Sequence, residues 1–479
     1  MKEVIGVKKL RFRGGHKILL KGKPDSAIKV MPEPKTLYLP MHSERFTFDD
    51  IRVKDGQKVN IGDMLSVDPD SYGIPLLAPR SGTVRLKSID NHIVLEDIAL
   101  LKPTINLEKD KLLHIKQKMG QAGIKRFILL SLGAWQFFYD AFTGDLPDPL
   151  GTPQAIIIST LSLEPFNVRG DVLLKNGLLN FTRGLEQLQS LMEYQPIYLI
   201  MPEIKSDLAN LIRKHLRGYA SVKMLEVPLV YPYDNFKIIA RKLGLRSNEG
   251  PVWAVRTEGV LAIDWALTLK RPCINRIISI GGIGVNSPTH LNVVTGYPIK
   301  NIKERYIFDP SARIINGGIL TGRALTNTDE GIETECRGLT VLPELEDREF
   351  LGFVRPGWAR SSYAKCFLSS LRKPFIENYT TAVRGELRPC ISCNYCEEVC
   401  PAGIMPHLIH KYLYADLIEE VEKARVNLCV ECGLCSYVCP SKIELTKQFF
   451  EAKDIIEKEK EEIRREEEER KRLAREIVE

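Results

Sequence analysis

The residues best able to do chemistry in this chain are eight cysteines near its C-terminus. They form two copies of one pattern, C-x2-C-x2-C-x3-C-P. This is the ligand spacing of paired [4Fe–4S] clusters, in which three thiolates of one motif bind one cluster and the fourth binds the other. The sequence therefore predicts two clusters with crossed ligands. The predicted sets are Cys390, Cys393, Cys396 and Cys439 for one cluster, and Cys429, Cys432, Cys435 and Cys400 for the other.

Zinc and disulfides are the alternatives for these cysteines. Structural zinc also uses C-x2-C pairs, but a tetrahedral ion does not need a third cysteine at the same spacing, a fourth after three residues and a proline, twice over. A framework of dispersed disulfides would not concentrate eight of eleven cysteines in one short region. The other three, Cys273, Cys336 and Cys366, belong to no motif, and we expect free or buried thiols.

The elements around the motifs are predicted to be helical. Apolar residues between the motifs, such as Ile404, Leu408 and Tyr412, recur at helical spacing. We therefore assign residues 386–450 to an all-α dicluster ferredoxin domain. His407 and His410 lie between the motifs and are interpreted as packing or surface residues, not as extra ligands. Residues 451–479 are rich in Glu, Lys and Arg, which predicts an exposed helical tail.

Residues 1–100 carry short alternating strands separated by turn signals. Their glycines and the Ala78-Pro79 pair resemble the lipoyl (barrel-sandwich) pattern. In that family a modified lysine lies seven residues before the Ala-Pro, and here the position holds Ser71. A structural docking module is therefore favoured over a swinging arm.

The middle of the chain is predicted to contain two further units. Residues 101–270 alternate strand and helix patterns, which indicates an α/β layer with parallel strands. Residues 271–335 form a short β unit, and residues 336–385 connect it to the cysteine region. The fold class is thus multidomain α+β, with a barrel-sandwich N-domain, an α/β domain, a β unit and an all-α dicluster domain.

Composition excludes several classes of function. The net charge of +7 over 479 residues does not indicate a nucleic-acid partner. The longest apolar stretch, residues 127–142, contains Asp140 and is shorter than the ~20 residues of a membrane span. No secretory signal opens the sequence. A soluble, cytosolic chain is expected, which would meet a membrane only through partner subunits.

From about residue 10 to about residue 460 the chain resembles the A subunit of the Na+-translocating NADH:quinone reductase and its paralogue, the C subunit of the Rnf complex. IISIGGIGVNSPTHLNVVTGYPI resembles the β-grasp (soluble-ligand-binding) unit of that family, which implies that fold for residues 271–335. LLSLGAW and REFLGFVRPG are more similar to the quinone-reductase subunit. CISCNYCEEVCP and CVECGLCSYVCP are more similar to the Rnf subunit. The resemblance also relates residues 101–270 to an FMN-binding domain.

The flavin loop of that family is degraded here. In the Rnf subunit a loop close to G-x-G-G-A-G-F-P holds FMN and NADH, because missing side chains let the backbone approach phosphate. In this chain only Gly133-Ala134 remains, between bulky Leu132 and Trp135. Glu164, before a proline, is the other remnant. The sequence therefore argues against flavin and NADH binding by this chain, and no cofactor-binding residue is assigned. Gly281, Gly282 and Gly284 precede no helix and predict no dinucleotide loop.

The resemblance implies an iron–sulfur electron-transfer subunit of a membrane-associated, ion-translocating NADH:quinone or ferredoxin:NAD oxidoreductase. Its partners would be the integral membrane and flavin-bearing subunits of that complex, at the cytoplasmic face of the inner membrane. A quinone is a further implied cofactor with no residues assigned to it, and no side chain is predicted to perform acid–base catalysis. Two alternatives stay open: a soluble reductase resembling Rnf-C-like corrin reductases, and a non-catalytic assembly subunit with structural clusters.

Overall fold

The structure is a computed structural model that describes residues 8–86, 90–100, 109–192, 194–203, 207–216, 222–325, 331–344, 379, 381 and 387–478. The chain divides into two compact units. Of these described residues, those within 8–11 and 20–344, together with 379 and 381, belong to the first unit, and those within 12–19 and 387–478 belong to the second.

Strands occur only in the first unit among the described residues. They are β1 (Lys8–Lys9), β2 (Ile28–Val30), β3 (Leu37–Pro40), β4 (Asp50–Ile51), β5 (Lys58–Val59), β6 (Met64–Asp68), β7 (Ile74–Leu77), β8 (Ser81–Arg85), β9 (His92–Ala99), β10 (Phe138–Asp140), β11 (Ile156–Ser159), β12 (Ile197–Pro202), β13 (Val222–Val227), β14 (Trp253–Arg256), β15 (Asn275–Gly281), β16 (Thr289–Val294), β17 (Arg313–Asn316), β18 (Arg323–Ala324) and β19 (Gly338–Leu342).

Helices occur in both units. They are α1 (Lys109–Ser131), α2 (Gly170–Gln189), α3 (Asp207–His215), α4 (Phe236–Lys242), α5 (Thr257–Leu267), α6 (Ile299–Tyr306), α7 (Tyr395–Glu398), α8 (Pro406–Tyr414), α9 (Ile418–Lys423), α10 (Leu434–Val438) and α11 (Leu445–Val478).

The predicted α/β layer is a six-stranded sheet in the order β1-β13-β12-β11-β14-β10. All its pairs are parallel except β10 with β14. Ile156, Ile157 and Ile158 of β11 are consecutive and fully buried, as expected for a parallel strand covered on both faces. Buried Asp264 of α5 accepts hydrogen bonds from Arg183 of α2 at 2.9 and 2.8 Å, which joins these two helices.

A second six-stranded sheet has the order β18-β17-β19-β15-β16-β2 and contains the predicted β unit. Two smaller sheets, β3-β9-β8-β5 and β4-β6-β7, are built from the N-terminal region. Ser71 lies in the turn between β6 and β7, where its backbone N–H donates to Asp68 Oδ1 at 3.0 Å. The first two strands pair elsewhere: β1 runs parallel to β13, and β2 runs parallel to β16.

The second unit is helical over residues 395–478, with short loops between its helices. The segment between the cysteine motifs forms α8 and α9, as the apolar spacing predicts. The single helix α11 continues from the iron–sulfur region into the charged tail. In the part of the chain that the structure describes, no helix is long and apolar enough to cross a membrane. A mixed α+β chain of several units with a helical C-terminal region is thus confirmed, and the names barrel-sandwich and β-grasp stay predictions.

Candidate iron–sulfur sites

The cysteine loops reverse direction through residues in the left-handed backbone region. Ser392 (φ 54°) and Asn394 (φ 62°) flank Cys393, and Glu431 (φ 54°) and Gly433 (φ 75°) flank Cys432. Residues other than glycine rarely adopt this backbone conformation. Its recurrence at matching positions shows that both motifs wrap in the same way, with α7 and α10 carrying the third cysteine of each motif.

Each motif lines a cavity of about 340 Å³, and each cavity is lined by three cysteines of one motif and one cysteine of the other. We name them after one further lining residue, the His407 cavity and the Thr446 cavity. The structure brings together around each cavity the four thiols that the sequence predicts for one cluster. The His407 cavity is lined by Cys390, Cys393, Cys396 and Cys439, and the Thr446 cavity by Cys429, Cys432, Cys435 and Cys400.

The surroundings of the thiols suit cluster-bound thiolates. The Glu431 N–H donates to Cys429 Sγ at 3.4 Å, and Thr446 Oγ1 lies 3.6 Å from Cys435 Sγ. The backbone N–H groups of His407 and Leu434 donate to Cys396 and Cys432. Such hydrogen bonds stabilise negative sulfur and tune reduction potentials. The residues present therefore fit a pair of [4Fe–4S] clusters.

Burial disfavours ionisation of the thiols of Cys396, Cys432 and Cys435. Burial raises the pKa of Cys396 and of Cys435 to about 12, and it raises the pKa of Cys432 well above its ordinary value. Coordination to a cation reverses this preference, because a metal-bound thiol loses its proton outright. A bound cation would therefore offset the effect of burial on these three thiols.

A single metal ion and an iron–sulfur cluster require different arrangements of thiols. Within the described ranges, no three His, Cys, Asp or Glu side chains converge in the way that one metal ion requires. In a cubane each thiolate binds a different iron, so four thiols spread around a cavity are the expected arrangement.

The loops receive support from outside the motifs. Behind the Thr446 cavity, the Gly15 N–H donates to Val399 O at 2.8 Å. Gly14 has φ +69°, and a Cβ atom there would lie 2.5 Å from Cys400 O. The Arg13-Gly14-Gly15 segment was not predicted to be part of the site. Its sequence signal is the double glycine, which permits a close approach of two backbones.

The two inter-motif histidines differ in their surroundings. His410 Nδ1 lies 2.8 Å from Gln448 Oε1 on α11, which agrees with its interpretation as a packing residue. His407 lines the cavity named after it, and its Nδ1 is 3.9 Å from Glu397 Oε2. This nitrogen has no hydrogen-bond partner among the residues that the structure describes. Aligning the two cysteine motifs would have indicated its position, because His407 then corresponds to Thr446.

The two flavin-loop remnants are satisfied within the chain. The Gln136 amide donates to Gly133 O at 2.5 Å, and the neighbouring Trp135 is fully buried. Glu164 Oε1 accepts from the N–H groups of Leu320 and Thr321 at 2.9 and 2.8 Å. The Thr321 hydroxyl donates to Oε2 at 2.7 Å. These contacts explain both residues as structural elements of the fold.

The unassigned cysteines of the first unit are buried thiols. Cys273 and Cys336 are 4% and 5% exposed, and burial raises the pKa of each to about 12. Both are therefore expected to stay protonated and unreactive at neutral pH. Cys366 falls outside the described residues.

Two segments of the chain match the models of known protein families. Residues 389–443 match the family model of the 4Fe-4S dicluster domain, and residues 119–268 match that of the NqrA second alpha/beta domain. The chain therefore contains one segment similar to a 4Fe-4S dicluster domain and one segment similar to the second α/β domain of NqrA.

Individual relatives extend the likeness to most of the chain. The A subunit of the Na(+)-translocating NADH-quinone reductase of Psychromonas ingrahamii is 24% identical, over 77% of this chain and 81% of the relative. The same subunit is 23% identical in Neisseria gonorrhoeae, over 84% and 88%, and 25% identical in Pasteurella multocida, over 76% and 80%. The predicted resemblance to this subunit is confirmed. A chain of an NAD+-reducing [NiFe]-hydrogenase aligns with half of the structure at 12% identity and a TM-score of 0.35, too low to define a shared fold.

Proposed function

We propose that this chain is an iron–sulfur electron-transfer subunit that holds two [4Fe–4S] clusters. The observation that carries the proposal is the crossed arrangement of eight thiols around two cavities of equal volume. Bound clusters would supply one-electron transfer. The chain's own residues would bind the irons, donate hydrogen bonds to sulfur and exclude water from the cavities.

We infer that the chain works within a membrane-associated, ion-translocating NADH:quinone or ferredoxin:NAD oxidoreductase. The support is the similarity to the A subunit of the Na+-translocating NADH-quinone reductase along most of both chains. Integral membrane and flavin-bearing subunits would be its partners, and it would lie on the cytoplasmic face of the inner membrane. Quinone reduction and ion transport would then belong to the complex.

Flavin has no place in the proposal for this chain. The position that corresponds to the flavin loop is filled by Trp135, whose ring stacks on Phe138 at 4.3 Å between centroids and whose Nε1–H donates to Pro147 O at 2.9 Å. Glu164 is held by the loop at residues 320–321. A flavin phosphate would have to displace these contacts.

The test is anaerobic purification of the full chain with iron, sulfide and flavin analysis, followed by a reductive titration monitored by low-temperature EPR. We expect about eight irons per chain, two reducible clusters and no flavin. Four irons or fewer in fully reconstituted protein would contradict the two-cluster assignment. Bound FMN with NADH oxidation by the isolated chain would favour the corrin-reductase alternative. Clusters that resist reduction would favour an assembly role.

Membership of a complex is tested separately by affinity purification from solubilised membranes. Co-purification of integral membrane subunits would support the proposal. Recovery of the chain entirely from the soluble fraction would contradict it, whatever the iron content.

A further inference from the structure

A cavity of about 570 Å³ lies in the first unit, far in sequence from the cysteine motifs. Its wall includes the aromatic residues Phe137, Tyr139 and Trp265, together with the buried cation Arg276. A concave, largely apolar pocket with a few polar groups is the usual form of a small-molecule site. The polar groups therefore identify the chemistry of the ligand.

Arg276 is a buried cation with an unsatisfied edge. The residue is 6% exposed, and its Nε and Nη2 find no hydrogen-bond partner in the described part of the chain. The guanidinium stacks over the Phe137 ring, with Cζ 4.3 Å from the centroid. Burying a charge without a hydrogen-bonded partner is costly, so such groups are normally paired.

Other arginines of this unit use the corresponding edge of their guanidinium group to bind a carboxylate. In four other arginines Nε and Nη2 each donate to one oxygen of a carboxylate, the bidentate geometry that a planar guanidinium favours. These pairs are Arg80–Glu33, Arg169–Asp171, Arg183–Asp264 and Arg313–Glu344.

Of the two carboxylates that line the Arg276 cavity, Glu258 is paired with an arginine and Glu335 is engaged through one of its oxygens. Glu258 accepts from Arg337 Nε at 2.7 Å, and Glu335 Oε1 accepts from the Arg45 N–H at 3.2 Å. Glu335 Oε2 and Thr334 Oγ1 are buried in the same wall without partners among the described side chains and backbone. The cavity thus contains one unsatisfied cationic edge and two further polar atoms without partners among the described residues, beside the paired Glu258 and Arg337 and several aromatic and aliphatic side chains.

We propose that this cavity binds a small monocarboxylate with a compact apolar or aromatic body. The carboxylate would accept two hydrogen bonds from Arg276 Nε and Nη2. The apolar body would contact Phe137 and Trp265, and a hydroxyl on the ligand could donate to Glu335 Oε2. This assignment is independent of the clusters and of the function proposed above.

Benzoate is a suitable probe, with benzamide as its neutral isostere. Isothermal titration calorimetry on the full, cluster-loaded chain should show one binding site for benzoate. Bound benzoate should also quench the fluorescence of Trp265. Benzamide should bind at least about tenfold more weakly, which corresponds to about 1.4 kcal/mol. Equal affinity for the two compounds, or no benzoate binding, would overturn the proposal.

Two variants test the contact itself. Arg276→Gln should abolish benzoate binding, and Arg276→Lys, which keeps the charge but lacks the bidentate edge, should weaken it at least about tenfold. Arg313→Gln is the matched control, since it removes the same edge from an exposed arginine and should leave benzoate affinity unchanged. If Arg276→Gln fails to fold by circular dichroism, Arg276→Lys decides. Wild-type affinity for benzoate in a folded Arg276 variant would overturn the proposal. The proposal would also be overturned if the cavity bound 1,4-naphthoquinone in an Arg276-dependent way but did not bind benzoate.

Discussion

The two halves of the iron–sulfur unit share a backbone pattern but differ in what surrounds it. When the motifs are aligned, Ser392 corresponds to Glu431 and Asn394 to Gly433, and all four residues have positive φ. Each half lines a cavity of the same volume with three of its own thiols and one from the other half. The motif therefore gives both cavities the same arrangement of thiols.

The loops that carry the crossing cysteines are supported by different parts of the chain. The loop of Cys439 is held by the residues directly before the first motif, since the Arg388 guanidinium donates to Pro440 O at 2.8 Å and Ser441 Oγ donates to Pro389 O at 2.9 Å. The loop of Cys400 is held by Gly14 and Gly15, almost four hundred residues earlier in the sequence. The loop of Cys439 thus depends on local structure, and the loop of Cys400 depends on a long-range contact.

The polar groups around the cavities differ as well. Lys453 Nζ donates to Cys429 O at 2.8 Å and pairs with Glu431, whereas the corresponding residue of the other half, Tyr414, is 88% exposed. Thr446 contacts Cys435 through its hydroxyl, and its counterpart is His407. Because hydrogen bonds and nearby charge tune cluster potentials, the two clusters should be inequivalent.

The largest predicted effect comes from the crossing cysteines. Cys439→Ala should remove about four of eight irons by emptying the His407 cavity, and Cys400→Ala should do the same to the Thr446 cavity. Double variants test which cysteines share a cluster. Combining Cys390→Ala with Cys439→Ala should cost no further iron, because both residues line the same cavity. Combining Cys429→Ala with Cys439→Ala should remove nearly all of the iron, because the two residues line different cavities. Iron analysis after anaerobic reconstitution measures this.

Cys336→Ala is the control for the loss of a buried thiol and should retain all of the iron. The crossed assignment would be wrong if Cys439→Ala and Cys429→Ala together lost only as much iron as either single variant.

The next effect should come from Gly14→Ala. The new Cβ would meet Cys400 O at 2.5 Å, and the positive φ adds strain, so we expect a cost of more than about 1 kcal/mol. The Thr446 cavity should lose its cluster preferentially, seen as the disappearance of one EPR signal while the other persists. Gly403→Ala is the matched control, because Gly403 also has φ +69° but a Cβ atom added there would have no described atom within 4 Å.

Equal loss of both signals in Gly14→Ala would show that the N-terminal segment supports the whole unit and not one half. An unchanged spectrum would contradict the contact with the Cys400 loop.

The sequence was informative where chemistry fixes the spacing of residues. The cysteine motifs predicted which four thiols share each cavity, and the apolar periodicity predicted α8 and α9. Local patterns do not encode long-range pairing, so the parallel pairing of β1 with β13 and of β2 with β16 could not be predicted. The support of Cys400 by residues 14–15 was missed for the same reason.

Buried charge is the other feature that the sequence did not reveal. Arg276 stands at the start of the strand RIISI, where an exposed cation is the ordinary expectation. Its burial depends on Phe137, contributed by a segment about 140 residues earlier in the chain. Only the fold shows that its guanidinium edge lacks a partner within the described residues.

The smallest predicted effect would sharpen the difference between the two cavities. Thr446 Oγ1 lies 3.6 Å from Cys435 Sγ and 3.0 Å from Ser436 Oγ. Thr446→Val keeps the shape of the side chain but removes the hydroxyl, so the reduced, more negative cluster loses stabilisation. The potential of this cluster should fall by some tens of millivolts, where about 59 mV corresponds to a tenfold change for one electron.

Thr446→Ser retains the hydroxyl and should keep the wild-type potential, which separates loss of the hydrogen bond from a change in packing. The other cluster should not shift, because Thr446 lines only one of the two cavities. In the Cys400→Ala background the cluster beside Thr446 should be missing, so the effect of Thr446→Val should vanish. In the Cys439→Ala background that cluster should remain, and the effect should persist. A shift of equal size in both clusters would mean that the two sites respond as one electrostatic unit, and the inequivalence inferred from Thr446 and His407 would then be wrong.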